Sequence, residues 1–100
     1  MRASDWKAVE RNTLRGFCSL HLPSGLVLRD CSVHRHPEGR EWVGLPGKPQ
    51  MDRDGQPRRD PSTGKLLYSA IIEIPDRDTR EKFQAAALAA VRLLIGESAP

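Results

Sequence analysis

The sequence predicts an α+β fold: an antiparallel β-meander sheet of about five strands followed by one C-terminal α-helix. Three observations carry this. Apolar residues alternate with period two in short runs through the first half of the chain. Turn residues separate those runs at hairpin spacing. From residue 76 onward the apolar period becomes helical. With 100 residues there is room for a single hydrophobic core. The chain therefore reads as one domain over residues 1–96, with a disordered tail expected at 97–100.

Trp6 to Arg11 reads as a short edge strand ended by Asn12-Thr13. Gly16 to Leu22 alternates, with Cys18, Leu20 and Leu22 on one face and Phe17, Ser19 and His21 on the other. Pro23-Ser24-Gly25 is a turn, and Leu26 to His34 returns as the partner strand. A two-residue turn at Ser24-Gly25 sets Cys18 opposite Cys31. The apolar phase slips between Leu26/Leu28 and Cys31/Val33, which predicts a bulge near Arg29-Asp30. After a second turn at Pro37–Arg40, Glu41 to Leu45 forms a strand that Pro46 ends.

Residues 47–64 differ in kind, with three prolines, three glycines and Met51 as the one large apolar side chain. Such a stretch buries too little surface to offset its ordering entropy and reads as a long mobile loop. Leu66 to Ile74 resumes as a strand with Tyr68, Ala70, Ile72 and Ile74 on one face, and Leu67 and Ile71 on the other. The helix follows. Asp78 and Glu81 have capping-box spacing, Phe83, Ala87, Ala90 and Leu94 form the apolar stripe, and Gly96 is placed to end it.

Apolar residues make up 38% and aromatic residues 5% of the chain, so the core is small and burial in a homodimer is attractive. No apolar run reaches the ~18 residues of a membrane span, and the first residues lack the apolar stretch of a signal peptide. A cytoplasmic location is expected, with Cys18 and Cys31 as buried free thiols. The net charge of +3 is concentrated before residue 67, which favours an anionic partner.

Candidate chemistry is sparse. Cys31, His34 and His36 have a ligand-like spacing, but strand alternation sends Cys31 to the face opposite the two histidines, so no metal site is expected. Gly47-Lys48 is followed by Pro49 where a phosphate loop needs a hydroxyl. Ser19, Ser24 and Ser32 lie in strands or a turn, without a nucleophile elbow. A non-catalytic protein with no cofactor and no small-molecule substrate is the expectation. The basic residues say more. Arg77, Arg80 and Lys82 crowd the start of the helix, where its dipole disfavours cations. Lys48, Arg58 and Arg59 sit in the adjacent loop, and Trp42 is a candidate surface for base stacking or for packing.

Three segments resemble the stage V sporulation protein G (SpoVG) family. Thr79-Arg80-Glu81-Lys82-Phe83-Gln84-Ala85-Ala86-Ala87-Leu88 is similar to its T-R-x-K-h-Q-x-A-h-L helix start, where h is apolar. Trp42-Val43-Gly44-Leu45-Pro46-Gly47-Lys48 is similar to its h-V-A-M-P-S-K segment, and Asp30-Cys31-Ser32-Val33 to its D-I-R-V strand. The resemblance runs from about residue 14 to residue 95. It implies a small dimeric β-sheet protein of bacterial type that binds DNA and RNA as a regulator. On matching positions it assigns that binding to Arg80, Lys82 and Lys48. The longer loop Gln50–Gly64 and the hydrophobic strand Leu66–Ile74 depart from the family pattern.

The functional expectation is therefore nucleic-acid binding through phosphate contacts from Arg80, Lys82, Arg77, Lys48, Arg58 and Arg59. A protein–protein adaptor of phage or mobile-element type is the alternative class. A PC4-like single-stranded DNA binder is a variant of the first reading.

Overall fold

The computed structural model describes residues 1–98. The chain forms β1 (Arg2–Arg11), β2 (Leu14–His21), β3 (Val27–Arg35), β4 (Glu41–Gly44), β5 (Gly47–Pro49), β6 (Tyr68–Ala70) and α1 (Arg77–Ser98). Strands β1 to β4 make one antiparallel meander in sequence order, and β5 and β6 pair as a separate hairpin. Helix α1 lies on one face of the meander, against β1 and β4. The fold is α+β, as the periodicities predict.

Register follows from the turns. Cys18 stands opposite Cys31, as the Ser24-Gly25 turn requires. The next pair is Leu20 with Leu28, so Ser19 faces both Arg29 and Asp30. Asp30 takes φ 58°, a left-handed conformation that a short polar side chain tolerates. The slip in apolar phase is this bulge. A second bulge sits beside it in β1, where Asp5 (φ 58°) and Trp6 lie between the pairs Ser4–Ser19 and Lys7–Phe17. Strand β1 is longer than expected, starting at Arg2 rather than Trp6.

The core lies between the sheet and α1. Cys18, Leu20, Cys31, Val33 and Val43 meet Ala87, Ala90 and Val91, with Trp6, Phe83 and Leu94 at the margin. Helical alanines let the helix axis approach the sheet closely. Gly16 serves a similar end, because a Cβ there would fall 2.6 Å from the Lys7 carbonyl oxygen and 2.5 Å from the Trp6 ring.

Both thiols are free and buried. Burial, with smaller contributions from Cys18 and Asp30, pushes the Cys31 thiol up to about 12, and burial also raises Cys18. The folded chain thus holds protons that the unfolded chain releases above its ordinary value of 9.0. Stability should be unaffected by these thiols below pH 9 and should fall as pH rises from there toward 12. A thiol reagent at neutral pH should label neither cysteine in the native protein and both in urea. Rapid native labelling would contradict the burial.

Three expectations need correction. The helix is capped by Asp76, not Asp78: the Thr79 amide and hydroxyl both donate to Asp76 Oδ2, at 2.8 and 2.6 Å. These bonds, the hydroxyl's foremost, hold the Asp76 carboxyl below its ordinary value. Gly96 does not end the helix, which continues through Ser98. The expected tail therefore begins inside α1, and its last two residues, Ala99 and Pro100, lie outside the described residues.

The third correction concerns residues 47–74. The main sheet has four strands, and Leu66–Ile74 contributes only the exposed three-residue β6, paired with β5. The stretch read as a loop at 47–64 begins as β5 and continues through the bridges Met51–Pro57 and Arg59–Leu66. Side-chain-to-backbone bonds organise it. Asp52 Oδ1 accepts from the amides of Asp54 and Gln56, and Asp60 Oδ1 from those of Ser62 and Thr63. Backbone pairing thus shapes this hairpin with almost no burial. No helix among the described residues is long and apolar enough to cross a membrane.

Candidate functional site

Strand alternation puts Val33 and Val43 into the core, so His34 and Trp42 project from the opposite, open face of the sheet. They are cross-strand partners. Their rings stack with centroids 5.1 Å apart and an interplanar angle of 5°. The Arg40 guanidinium lies 4.9 Å from the centre of the Trp42 ring, a cation–π contact. His34 is held further by two hydroxyls, Thr13 Oγ1 at 3.1 Å from Nδ1 and Ser32 Oγ at 2.9 Å from Nε2. A hydroxyl either donates or accepts, so both ring nitrogens are satisfied in either neutral tautomer. Burial lowers the His34 pKa, which favours the uncharged ring. Gly44, opposite Ser32, leaves the room that the Ser32 hydroxyl occupies.

Between this open face and the β5–β6 hairpin runs a groove of ≈ 720 Å³. The sheet contributes Leu14, Phe17, Asp30, Ser32 and His34, and the hairpin side contributes Tyr68 and Ile71. Leu14, His34 and Tyr68 also line a second groove of ≈ 510 Å³, so the two adjoin and share a wall. Arg11, Arg59 and Lys65 line the second groove, and among the described residues no carboxylate does. The Arg59 guanidinium donates to the Gly64 carbonyl at 3.0 Å, which orients it.

The cations expected from sequence are dispersed over the molecule. Lys48 and Arg58 share a cleft on the hairpin. Lys48 pairs with Ser69 while Tyr68 pairs with Pro49, so Lys48 lies on the hairpin face away from Tyr68. Arg59 alone of the six enters the groove beside the open sheet face. Arg77 is paired with Glu81 at 3.2 Å. Arg80 lines a separate cavity of ≈ 610 Å³ with Leu45, Ile72, Ile74 and Phe83. Lys82 is exposed, and two residues along a helix turn by about 200°, so it points away from Arg80. Trp42 is occupied by His34 and Arg40 and does not line the groove; its aromatic walls are Phe17, His34 and Tyr68.

Arg11 and Lys65 were not evident as site residues in the sequence, and His34 was weighed there only as a metal ligand. The antiparallel bridge that sets Leu66 opposite Arg59, and so brings Lys65 within one residue of that pair, exists only in the folded hairpin. Among the described residues no three His, Cys, Asp or Glu side chains converge as metal ligands. Comparison with known protein families, with curated proteins and with solved structures finds no match for this chain.

Proposed function

We propose that the chain is a non-catalytic nucleic-acid-binding protein that grips phosphates along the groove beside its open sheet face. The observation that carries this is the placement of Arg11, Arg59 and Lys65 around one groove that no carboxylate of the described residues lines. Clustered cations without counter-charges attract a polyanion, and the adjoining aromatic surface suits bases. The SpoVG resemblance supports the same reading, and the helix-start pair Arg80 and Lys82 takes second place in it because the two point apart. Arg77, neutralised by Glu81, contributes least. Lys48 and Arg58 form a further cationic patch on the hairpin. The free thiols fit a cytoplasmic setting.

Replacing Arg59 and Lys65 together by alanine should weaken DNA and RNA binding at low salt without unfolding the protein, since Arg59 and Lys65 are both exposed. Each lost phosphate contact should reduce the slope of log K against log salt by about 0.7 on single strands. Fluorescence anisotropy across a salt series measures both quantities. The double variant Arg80→Ala/Lys82→Ala should have a smaller effect. An unchanged slope in the Arg59/Lys65 variant would remove the groove from the reading, and no salt-dependent binding at all would favour the adaptor alternative. A homodimer belongs to the same proposal: Leu93, on the outward side of α1, is 70% exposed. Sedimentation velocity tests it.

A further inference from the structure

The two adjoining grooves differ in chemistry, and the difference divides a ligand into two parts. The larger is walled by Leu14 and Phe17 from the sheet and by Tyr68 and Ile71 from the hairpin side. Tyr68 and Ile71 are 57% and 66% exposed, an apolar surface with no partner among the described residues. Its polar groups are Ser32, His34 and Asp30. Asp30 is set there by the β3 bulge, whose left-handed φ of 58° turns it to the face opposite Cys31. A carboxylate repels phosphate but accepts hydrogen bonds from the amino groups of a base. The smaller groove reverses this preference, because Arg11, Arg59 and Lys65 attract phosphate. His34 and Tyr68 border both.

We infer that the paired grooves form a site for one unpaired nucleotide unit, with the base between the open sheet face and Tyr68 and the phosphate among Arg11, Arg59 and Lys65. This rests on the nucleic-acid reading above and sharpens it, because a base inside a duplex is not free to enter the groove. A volume of ≈ 720 Å³ is within the usual range for small-molecule sites. His34 is already held by Thr13, Ser32 and Trp42, so that wall is ordered before the ligand arrives.

The test uses the full chain, with labelled single-stranded DNA and RNA oligonucleotides, a duplex of the same sequence, and nucleoside monophosphates as competitors. Single strands should bind tighter than the duplex. Tyr68→Ala should weaken single-strand binding by about tenfold or more, the usual effect of losing one base–aromatic stack, and leave the circular dichroism of the fold unchanged. Equal affinity for duplex and single strand, or single-strand binding that ignores Tyr68→Ala, would overturn the base site while leaving phosphate binding through Arg59 and Lys65 in place. Monophosphates that bind as tightly as strands, with the same dependence on Tyr68, would keep the site but assign it to free nucleotides. Loss of all binding in the wild-type chain would overturn both readings.

Discussion

Leu20→Ala should lower the free energy of unfolding by about 2–5 kcal/mol, the largest effect expected of any single truncation in this chain. Leu20 is fully buried on β2, between Ala3 of β1 and Leu28 of β3. The rest of the buried core is built from small and medium side chains, mainly alanine, cysteine and valine. Backbones held by a continuous four-stranded ladder cannot collapse around a missing isobutyl group, so most of the cavity would persist. Domains of this size have roughly 5–15 kcal/mol in total, and each kcal/mol moves the midpoint of melting by about 4–8 °C. Thermal unfolding followed by circular dichroism should show a fall of roughly 8–40 °C in that midpoint, and urea unfolding a matching loss of free energy. Leu26, 62% exposed at the β2–β3 turn, is the comparison. Leu26→Ala should stay within about 0.5 kcal/mol of wild type. A Leu20→Ala protein as stable as Leu26→Ala would mean that the core is elsewhere.

The parts of the fold legible in sequence are those governed by local periodicity. Alternation around Cys18 and Leu20, a short turn, and a phase slip at Arg29-Asp30 are enough to set strands, register and bulge. The helix face was legible because Ala87, Ala90 and Val91 recur at helical intervals. The cap was less so. Asp76 and Asp78 are chemically equivalent in the sequence, and the choice between them depends on the Thr79 hydroxyl reaching back one turn. The hairpin at 47–70 escapes a periodicity argument altogether, since carboxylate-to-amide bonds at Asp52 and Asp60 organise it in place of an apolar face. The groove was the least legible part. Arg11 and Arg59 belong to different hairpins, and only the folded chain brings them to one surface. Arg80 and Lys82 show the opposite failure: neighbours in sequence, they are separated by the turn of the helix.

Gln84 is a related case, a polar helix position that gives no sign in sequence of what it meets. Its side-chain amide lies against the outer edge of β4 and forms two bonds with one residue. The Val43 amide donates to Gln84 Oε1 at 2.9 Å, and Gln84 Nε2 donates to the Val43 carbonyl at 2.8 Å. These are the bonds that a fifth strand would make, so Gln84 occupies edge groups that Leu66–Ile74 would need in order to extend the sheet there. Arg92, two turns along α1, adds an ion pair to Glu41 of the same strand at 3.2 Å. Gln84→Ala should therefore act in two ways. Stability should fall by about 1–3 kcal/mol, because two part-buried backbone groups lose their partners. The bared edge should also pair with other chains, as unprotected edges do, giving association beyond that of wild type. Gln84→Met keeps the length of the side chain but removes the amide, so it should lose the same bonds while retaining most of the packing. Urea midpoints and sedimentation velocity over a concentration series measure the two effects separately. If Gln84→Met kept the wild-type midpoint and sedimentation behaviour, the amide would be making no net contribution, and some other feature would have to guard the edge.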